Sequence, residues 1–320
     1  MAREVRERLE GRDRQEGKAQ RIPYLSPTER VKRLGPEREA LYQKNTTPLS
    51  SSFVRLCIMR AELVDGPVNP TREPVKDSPT LTGEIKGLAR YLGADLVGVS
   101  RLQESYLYLE NDLPHTHVIS LGLPMEHGIM KTAPSRKSYT EFWRAYNDLA
   151  EMVVHLAAHI RGMGYSARAH HVRAGDLLLI PCAVDAGLGE LSKMGLLITK
   201  KYGPRIRLGA VSTDLPLEVD RPVDLGIQDF CEKCSKCARH CPTGAIPEKK
   251  TWVRSVRKWQ VDGERCVETF SKSFGCGMCI RHCPWNKPDT LLHRISREAA
   301  VRSTTARSLL TKADDWLYGK

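Results

Sequence analysis

No stretch of this chain approaches the roughly 18 consecutive apolar residues a helix needs to cross a bilayer. The N-terminus, MAREVRERLEGRDRQEGKAQR, is charged, has no apolar core and no twin-arginine pair ahead of a hydrophobic run, so no export signal is expected. Neither GxGxxG nor a phosphate loop ending in GK[ST] occurs, and no helix-turn-helix, RNP or zinc-finger pattern organises a nucleic-acid contact. Spare cysteine is scarce as well. Of ten cysteines in 320 residues, eight fall in two motifs. The other two, Cys57 in SFVRLCIM and Cys182 in LLLIPCAV, sit in apolar runs and read as small buried hydrophobes rather than nucleophiles. A disulfide scaffold is therefore not expected, and the composition suits a reducing compartment, the cytoplasm, with no membrane span.

What is present is a cysteine pattern. FCEKCSKCARHCPTGAIP places Cys231, Cys234, Cys237 and Cys241 at the spacing C-x2-C-x2-C-x3-C-P. Thiolates two residues apart can converge on one iron-sulfur cube, whereas the cysteine before the proline is carried to a neighbouring cube. One motif thus predicts a second. It follows as CVETFSKSFGCGMCIRHCPWNKP, with Cys266, Cys276, Cys279 and Cys283. By the two-cluster ferredoxin rule, Cys231, Cys234 and Cys237 share one [4Fe-4S] cluster with Cys283, and Cys266, Cys276 and Cys279 share the other with Cys241. Zinc also binds CxxC pairs, but it takes four ligands per site and has no use for a third evenly spaced cysteine.

A net charge of +12 admits three accounts: a nucleic-acid surface, a docking face for an acidic electron carrier, or compensation for anionic clusters. The last two are favoured, since Lys233, Lys236, Arg239, Lys249, Lys250, Arg254, Arg257 and Lys258 crowd the first motif.

Along the chain, residues 1 to about 48 are charged and turn-rich, an arm with short helical pieces, and a proline-rich connector ends near residue 81. TGEIKGLARYLGADLVGVSRL reads as a helix running into a strand, and HVISLGLPM as a second strand. In EFWRAYNDLAEMVVHLAAHIRGMG, Phe142, Tyr146, Leu149, Val153, Leu156, Ile160 and Met163 recur at steps of three and four, a long amphipathic helix closed by Gly164. YSARAHH, DLLLIPCAV and RIRLGAVSTDL are further strand candidates, and LLHRISREAAVRSTTARSLLTKADDWL forms closing helices. The expected organisation is an arm and connector (1–80), an α/β (α+β) domain (81–225), a ferredoxin-like module (226–290) and C-terminal helices (291–320). Chemistry beyond electron transfer belongs in the α/β domain. The glycines of DAGLGELSKMGLLITKKYGPRIRLG could admit a ligand or merely make turns, and Tyr146 alone reads as a core tyrosine.

The succession of the long helix, AGLGE, LLIT, YGPR, TDLPL and the two cysteine motifs resembles the cobalamin-dependent reductive dehalogenases over roughly residues 85 to 290. The resemblance implies a nitroreductase-like domain around a base-off cobalamin, fed by two [4Fe-4S] clusters, that replaces the halogen of an organohalide by hydrogen. It implies a reduced ferredoxin or flavodoxin as donor to the cluster of Cys241, Cys266, Cys276 and Cys279, and is compatible with a homodimer. Ala186, Gly187, Leu188, Gly189, Gly203, Pro204, Arg205 and His170 then become corrinoid contacts.

It also turns Tyr146 into a proton donor, supported by Arg205 of YGPR, because a free phenol near pKa 10 is a poor acid unless a cation stabilises its anion. Arg173 of AHHVRAGD takes the place of a third polar pocket residue. The same scaffold serves epoxyqueuosine reductase, the tRNA-modifying relative, which has Asp before the helix tyrosine in a motif like GRDYHK. Ala145 stands there in this chain, which also ends before the helical-repeat extension often found in that enzyme. A non-dehalogenating corrinoid reductase or electron-relay protein is a further alternative. Two features depart from the dehalogenase pattern: the respiratory signal is missing, and AGLGE continues as LSKMG instead of a run like LGRNG.

Overall fold

The computed structural model describes residues 35–37, 40, 44–108, 111–253 and 256–318. Most of the charged arm therefore lies outside the described residues. Helix α1 (Pro48–Arg60) opens on a capping box between Thr47 and Ser50, and α2 (Ser78–Tyr91) on the side chain of Asp77. The chain then enters β1 (Leu96–Arg101) and β2 (His117–Pro124).

Helix α3 (Arg136–Gly162) is the long amphipathic element, and it starts where Ser135 and Ser138 exchange side-chain and backbone hydrogen bonds. Its stripe of Leu149, Val153, Leu156 and Ile160 is fully buried. Each such side chain contributes about 1.5–3 kcal/mol by leaving water, so Leu149→Ala is expected to cost about 2–5 kcal/mol.

Strand β3 (Ala167–His170), helix α4 (Leu179–Asp185), the small pair β4 (Glu190–Leu191) and β5 (Leu197–Ile198), and β6 (Ile206–Thr213) complete the domain. The main sheet has the order β1-β2-β6-β3 and is antiparallel throughout. Every residue of β6 is buried, because α3 covers one face of the sheet and α4 the other. Val211 of β6 joins the core under α3, whereas Leu208 packs with Ala183 of α4. The expected strand over DLLLIPCAV is instead helix α4. Pro181 explains the difference: it has no N–H for a sheet ladder, but in the first turn of a helix none is needed. Cys182 faces the sheet fully buried, as does Cys57 in its own site, and burial pushes the Cys57 thiol up to about 11.

Register creates an opening. Strand β3 pairs only with Ala210–Thr213, while β2 runs the full length of β6, so the edge of Ile206–Gly209 away from β2 carries no strand. Beyond β6 come α5 (Ile227–Cys234), the hairpin β7 (Thr251–Val253) and β8 (Val256–Lys258), α6 (Gly263–Lys272), and the closing helices α7 (Leu291–Arg302) and α8 (Thr304–Tyr318).

Candidate active site and cluster sites

The unpaired edge of β6 opens into a cleft of about 270 Å³, walled by Leu177, Leu179, Ile180, Leu197, Ile206 and Leu208, with Tyr108, Tyr146, His171 and Arg207 as its polar groups. Tyr146 projects from α3 beside Phe142, with ring centroids 5.0 Å apart, and Trp143, at 5.9 Å. The cation over this group is Arg207. Its guanidinium carbon lies 4.1 Å from the Phe142 ring centre and 5.4 Å from that of Tyr146. Arg207 is buried, its Nε has no hydrogen-bond partner, and no carboxylate pairs with it among the described residues. Burial lowers its pKa, opposed by the anionic forms of Tyr146 and Cys279 nearby.

The arginine expected beside Tyr146 was Arg205, and the structure places that residue elsewhere. Arg205 donates from Nη1 to the Met125 carbonyl at 3.1 Å and stacks over Tyr202 at 5.4 Å. Two residues along the same segment, Arg207 shares the α3 side of β6 with Gly209 and Val211, which pack against Val153 and the α3 core. Arg173 lies over the Trp143 ring at 5.3 Å, behind Tyr146, and its backbone N–H donates to His171 Nδ1. The cleft residue from that turn is His171, which burial holds down at about 4 and therefore neutral. His170 is wholly enclosed between Ser212 and Asp176, away from the cleft lining, and burial takes it to about 3.

The glycine-rich run packs on the protein itself. A Cβ on Gly187 would stand 2.5 Å from the Arg221 carbonyl oxygen, and one on Gly189 2.2 Å from that of Ile198. Gly203, at φ +58°, closes the turn before Pro204 and would meet the Trp285 carbonyl oxygen at 2.2 Å. These glycines are required by close approach of chain to chain. Ala186 caps α4, and Leu188 joins the apolar cluster beneath it.

A second, smaller cavity is lined by Cys231, Cys234, Cys237 and Cys283, with Met194, Ile198, Phe230, Ser235, Pro284 and Trp285 around them. The structure thus gathers three cysteines of the first motif with the last of the second. Burial drives these thiols upward, Cys231 to about 12 and Cys237 to about 11, and Cys283 is raised further by the charges of the other three. Thiols this reluctant to ionise alone need a cationic centre to become ligands. The other set is looser. Burial, then Cys266, raises Cys279; burial, then a neighbouring set that includes Cys241, raises Cys276. Cys266 is exposed, and Cys241, Cys276 and Cys279 are half-buried. The cysteine pattern fits two clusters, and the set of Cys231, Cys234, Cys237 and Cys283 lines a cavity of sulfur and apolar side chains.

The lining is suited in chemistry to the apolar flank of a large ring, with leucine and isoleucine side chains and a buried cation that has an unpaired donor. No helix among the described residues is long and apolar enough to cross a membrane.

Residues 230–287 match the family described as a 4Fe-4S dicluster domain. The tetrachloroethene reductive dehalogenase of Sulfurospirillum multivorans is 34% identical over 276 residues, covering 71% of this chain and 55% of that protein. Among solved structures, the catabolic reductive dehalogenase NpRdhA in complex with 3-bromo-4-hydroxybenzoic acid matches with a TM-score of 0.87 at 30% identity, over 94% of this chain and 46% of that one. A reductive dehalogenase whose structure suggests a mechanism for B12-dependent dehalogenation matches with a TM-score of 0.81 at 30% identity, over 89% and 44%. Epoxyqueuosine reductases match less of the chain, 36% of it for that of Salmonella typhimurium. The chain spans about half the length of the curated dehalogenases it matches. It is a homologue of the reductive dehalogenases, with epoxyqueuosine reductase a more distant relative, and it carries a 4Fe-4S dicluster domain.

Proposed function

We propose that the chain carries the catalytic core of a reductive dehalogenase, which converts an organohalide, two electrons and a proton into the hydrogen-substituted product and a halide ion. The observation that carries this reading is Tyr146 beneath the buried, carboxylate-free guanidinium of Arg207 at the cleft. Cobalamin, for which the apolar wall that includes Ile206 and Leu208 would provide contacts, would supply low-potential two-electron reducing chemistry at the carbon–halogen bond. The chain's own residues do the rest. Tyr146 Oη would give its proton to the substrate carbon that loses the halide, and Arg207 would stabilise the phenolate left behind because its charge is shielded from water. Phe142 and Trp143 hold the phenol ring in place edge-on. His171, neutral through burial, offers a hydrogen bond without competing for the proton.

Electrons would enter at the more exposed cysteine set. The β7–β8 hairpin stands at its root: Asp262 N–H bonds to the Ala245 carbonyl at 2.8 Å, and Ala245 N–H lies 3.3 Å from Cys241 Sγ. Residues 249–258 hold five basic side chains and no acidic one. Trp252 and Arg257 face each other across the hairpin, both exposed. A basic face around an exposed aromatic suits an acidic reduced ferredoxin or flavodoxin. Such low-potential carriers and free thiols are at home in the cytoplasm, where we place the chain.

Halide release from a panel of aryl and alkyl halides, with wild type and Tyr146→Phe compared, tests the proposal. Turnover should fall about 100-fold or more in the variant, the range for losing a general acid, with iron and corrinoid content unchanged. Epoxyqueuosine reduction without halide release would favour the tRNA enzyme, a reading that Ala145, buried where that enzyme has Asp, does not support. Corrinoid reduction indifferent to Tyr146 would favour an electron relay.

A further inference from the structure

Two lysines beside the cysteine motifs are almost wholly buried, Lys193 at 2% exposure and Lys236 at 3%. Lys236 has its anions: its Nζ lies 2.5 Å from Asp314 and 3.4 Å from Asp315. Lys193 has none among the described residues. Its Nζ donates to Ser235 Oγ at 2.5 Å and sits 5.2 Å from the centre of the Trp259 ring. A hydroxyl and a ring face only partly replace water, and an ammonium taken out of water without an anion costs several kcal/mol.

The missing anion has a place. Ser235, which receives the Lys193 proton, lines the same cavity as Cys231, Cys234, Cys237 and Cys283, and so does Met194, the next residue in the chain. The ammonium of Lys193 is thus held at the wall of the cavity that the four cysteines line. Four thiolates around a cube carry net negative charge, and a one-electron reduction adds one more.

We propose that Lys193 is the built-in counter-ion of the cluster held by Cys231, Cys234, Cys237 and Cys283, and that its charge raises the reduction potential of that cluster relative to the other. The inference rests on the reading of these four thiols as ligands of one cluster. A fixed cation favours the more negative, reduced form, and the low exposure of the site keeps water from screening it. Lys193 acts through the cluster, as a positioning and tuning residue.

The test is an anaerobic redox titration with dithionite as the electron source, read from the cluster signals in electron paramagnetic resonance, on wild type, Lys193→Met and Lys193→Arg. Iron and acid-labile sulfide are measured first. The expected result is that Lys193→Met moves one of the two midpoints to more negative potential and leaves the other in place, while Lys193→Arg retains both. Unmoved midpoints in Lys193→Met, or an equal shift in Lys193→Arg, overturn the proposal. If the Met variant loses one cluster, retention of that cluster at the wild-type midpoint by the Arg variant supports the need for charge, and its loss from both variants overturns it. Iron-free wild type would sink the cluster reading itself, a failure distinguishable from the others.

Discussion

Buried and half-buried cations are treated in opposite ways in two regions of this molecule. Against the C-terminal helices, each has a carboxylate: Lys236 with Asp314 and Asp315, Lys287 with Asp314, Arg307 with Asp229, Arg297 with Asp289. Along the inner wall formed by β6 and the turns before it, Lys193, Arg205 and Arg207 are as deeply buried and have no carboxylate partner among the described residues. The first arrangement fastens α8 to the cysteine module. The second leaves positive charge facing two cavities, where an anion arriving as thiolate-bound cluster, phenolate or halide would complete the pair. Charge in one region is paired within the fold, and in the other it is left for the roles proposed above.

The comparison predicts that substitutions in the two regions fail in different assays. The largest effect belongs to the inner wall: Arg207→Lys should lower halide-releasing turnover by about two orders of magnitude, because a point-charge ammonium cannot lie flat over Phe142 and Tyr146 as the guanidinium does. The thermal midpoint should change little, and Arg205→Lys should spare much more of the activity. Equal losses from both arginines would erase the distinction drawn between them. Next comes the outer region, where Lys236→Met leaves Asp314 without its closest partner and should destabilise by about 3–5 kcal/mol in denaturant unfolding, with activity per folded molecule kept. A smaller effect is expected at the hairpin. Replacing Lys249 and Arg257 by Gln should slow cluster reduction by an acidic flavodoxin about tenfold at low salt, with the gap closing as salt rises and no change when reduced methyl viologen is the donor.

A separate, pH-dependent effect concerns a buried group that carries no charge at all. His170 in the fold titrates near 3 because of burial, against about 6.5 unfolded, so below pH 6.5 the unfolded chain binds a proton that the native one refuses. Stability contributed by neutral His170 is complete above that value and declines as pH falls toward 3. His170→Gln should flatten this acid limb in denaturant midpoints measured from pH 7 to pH 4, and an unchanged slope would count against it.

Much of this was readable from the chain because ligand spacing and helical period are local properties. The cysteines had to stand at fixed intervals to surround a cube, and α3 had to repeat every three to four residues to bury one face. Arg207 was not readable in the same way. Arg205 and Arg207 share parity along the segment between YGPR and TDLPL, and what separates them is where β6 begins: Arg207 pairs with Leu123 inside the ladder, whereas Arg205 precedes its last pair, Pro124↔Ile206. Alternation back from Val211 and Gly209 puts Arg207 on the α3 side but gives Arg205 the same parity, so it does not choose between them. Helix α4 was missed because a short apolar run looks alike in a buried strand and a buried helix, although Pro181 was a visible warning. The glycines of AGLGE and YGPR invited a ligand reading, but their empty sides turned out to face carbonyl oxygens of Arg221, Ile198 and Trp285, contacts that span too much sequence to be seen locally.

The last of those contacts has a bearing on how the protein matures. Gly203 seats the YGPR turn on the Trp285 carbonyl, two residues beyond Cys283, and that turn leads directly into the strand edge that lines the cleft. The segment around Cys283 is therefore also a prop for the strand edge at the cleft. Under the proposed function, filling the cluster site at Cys283 and shaping the cleft are linked events. Corrinoid uptake by chain freshly refolded without iron, read as cobalt content, should be poor and should recover on cluster reconstitution.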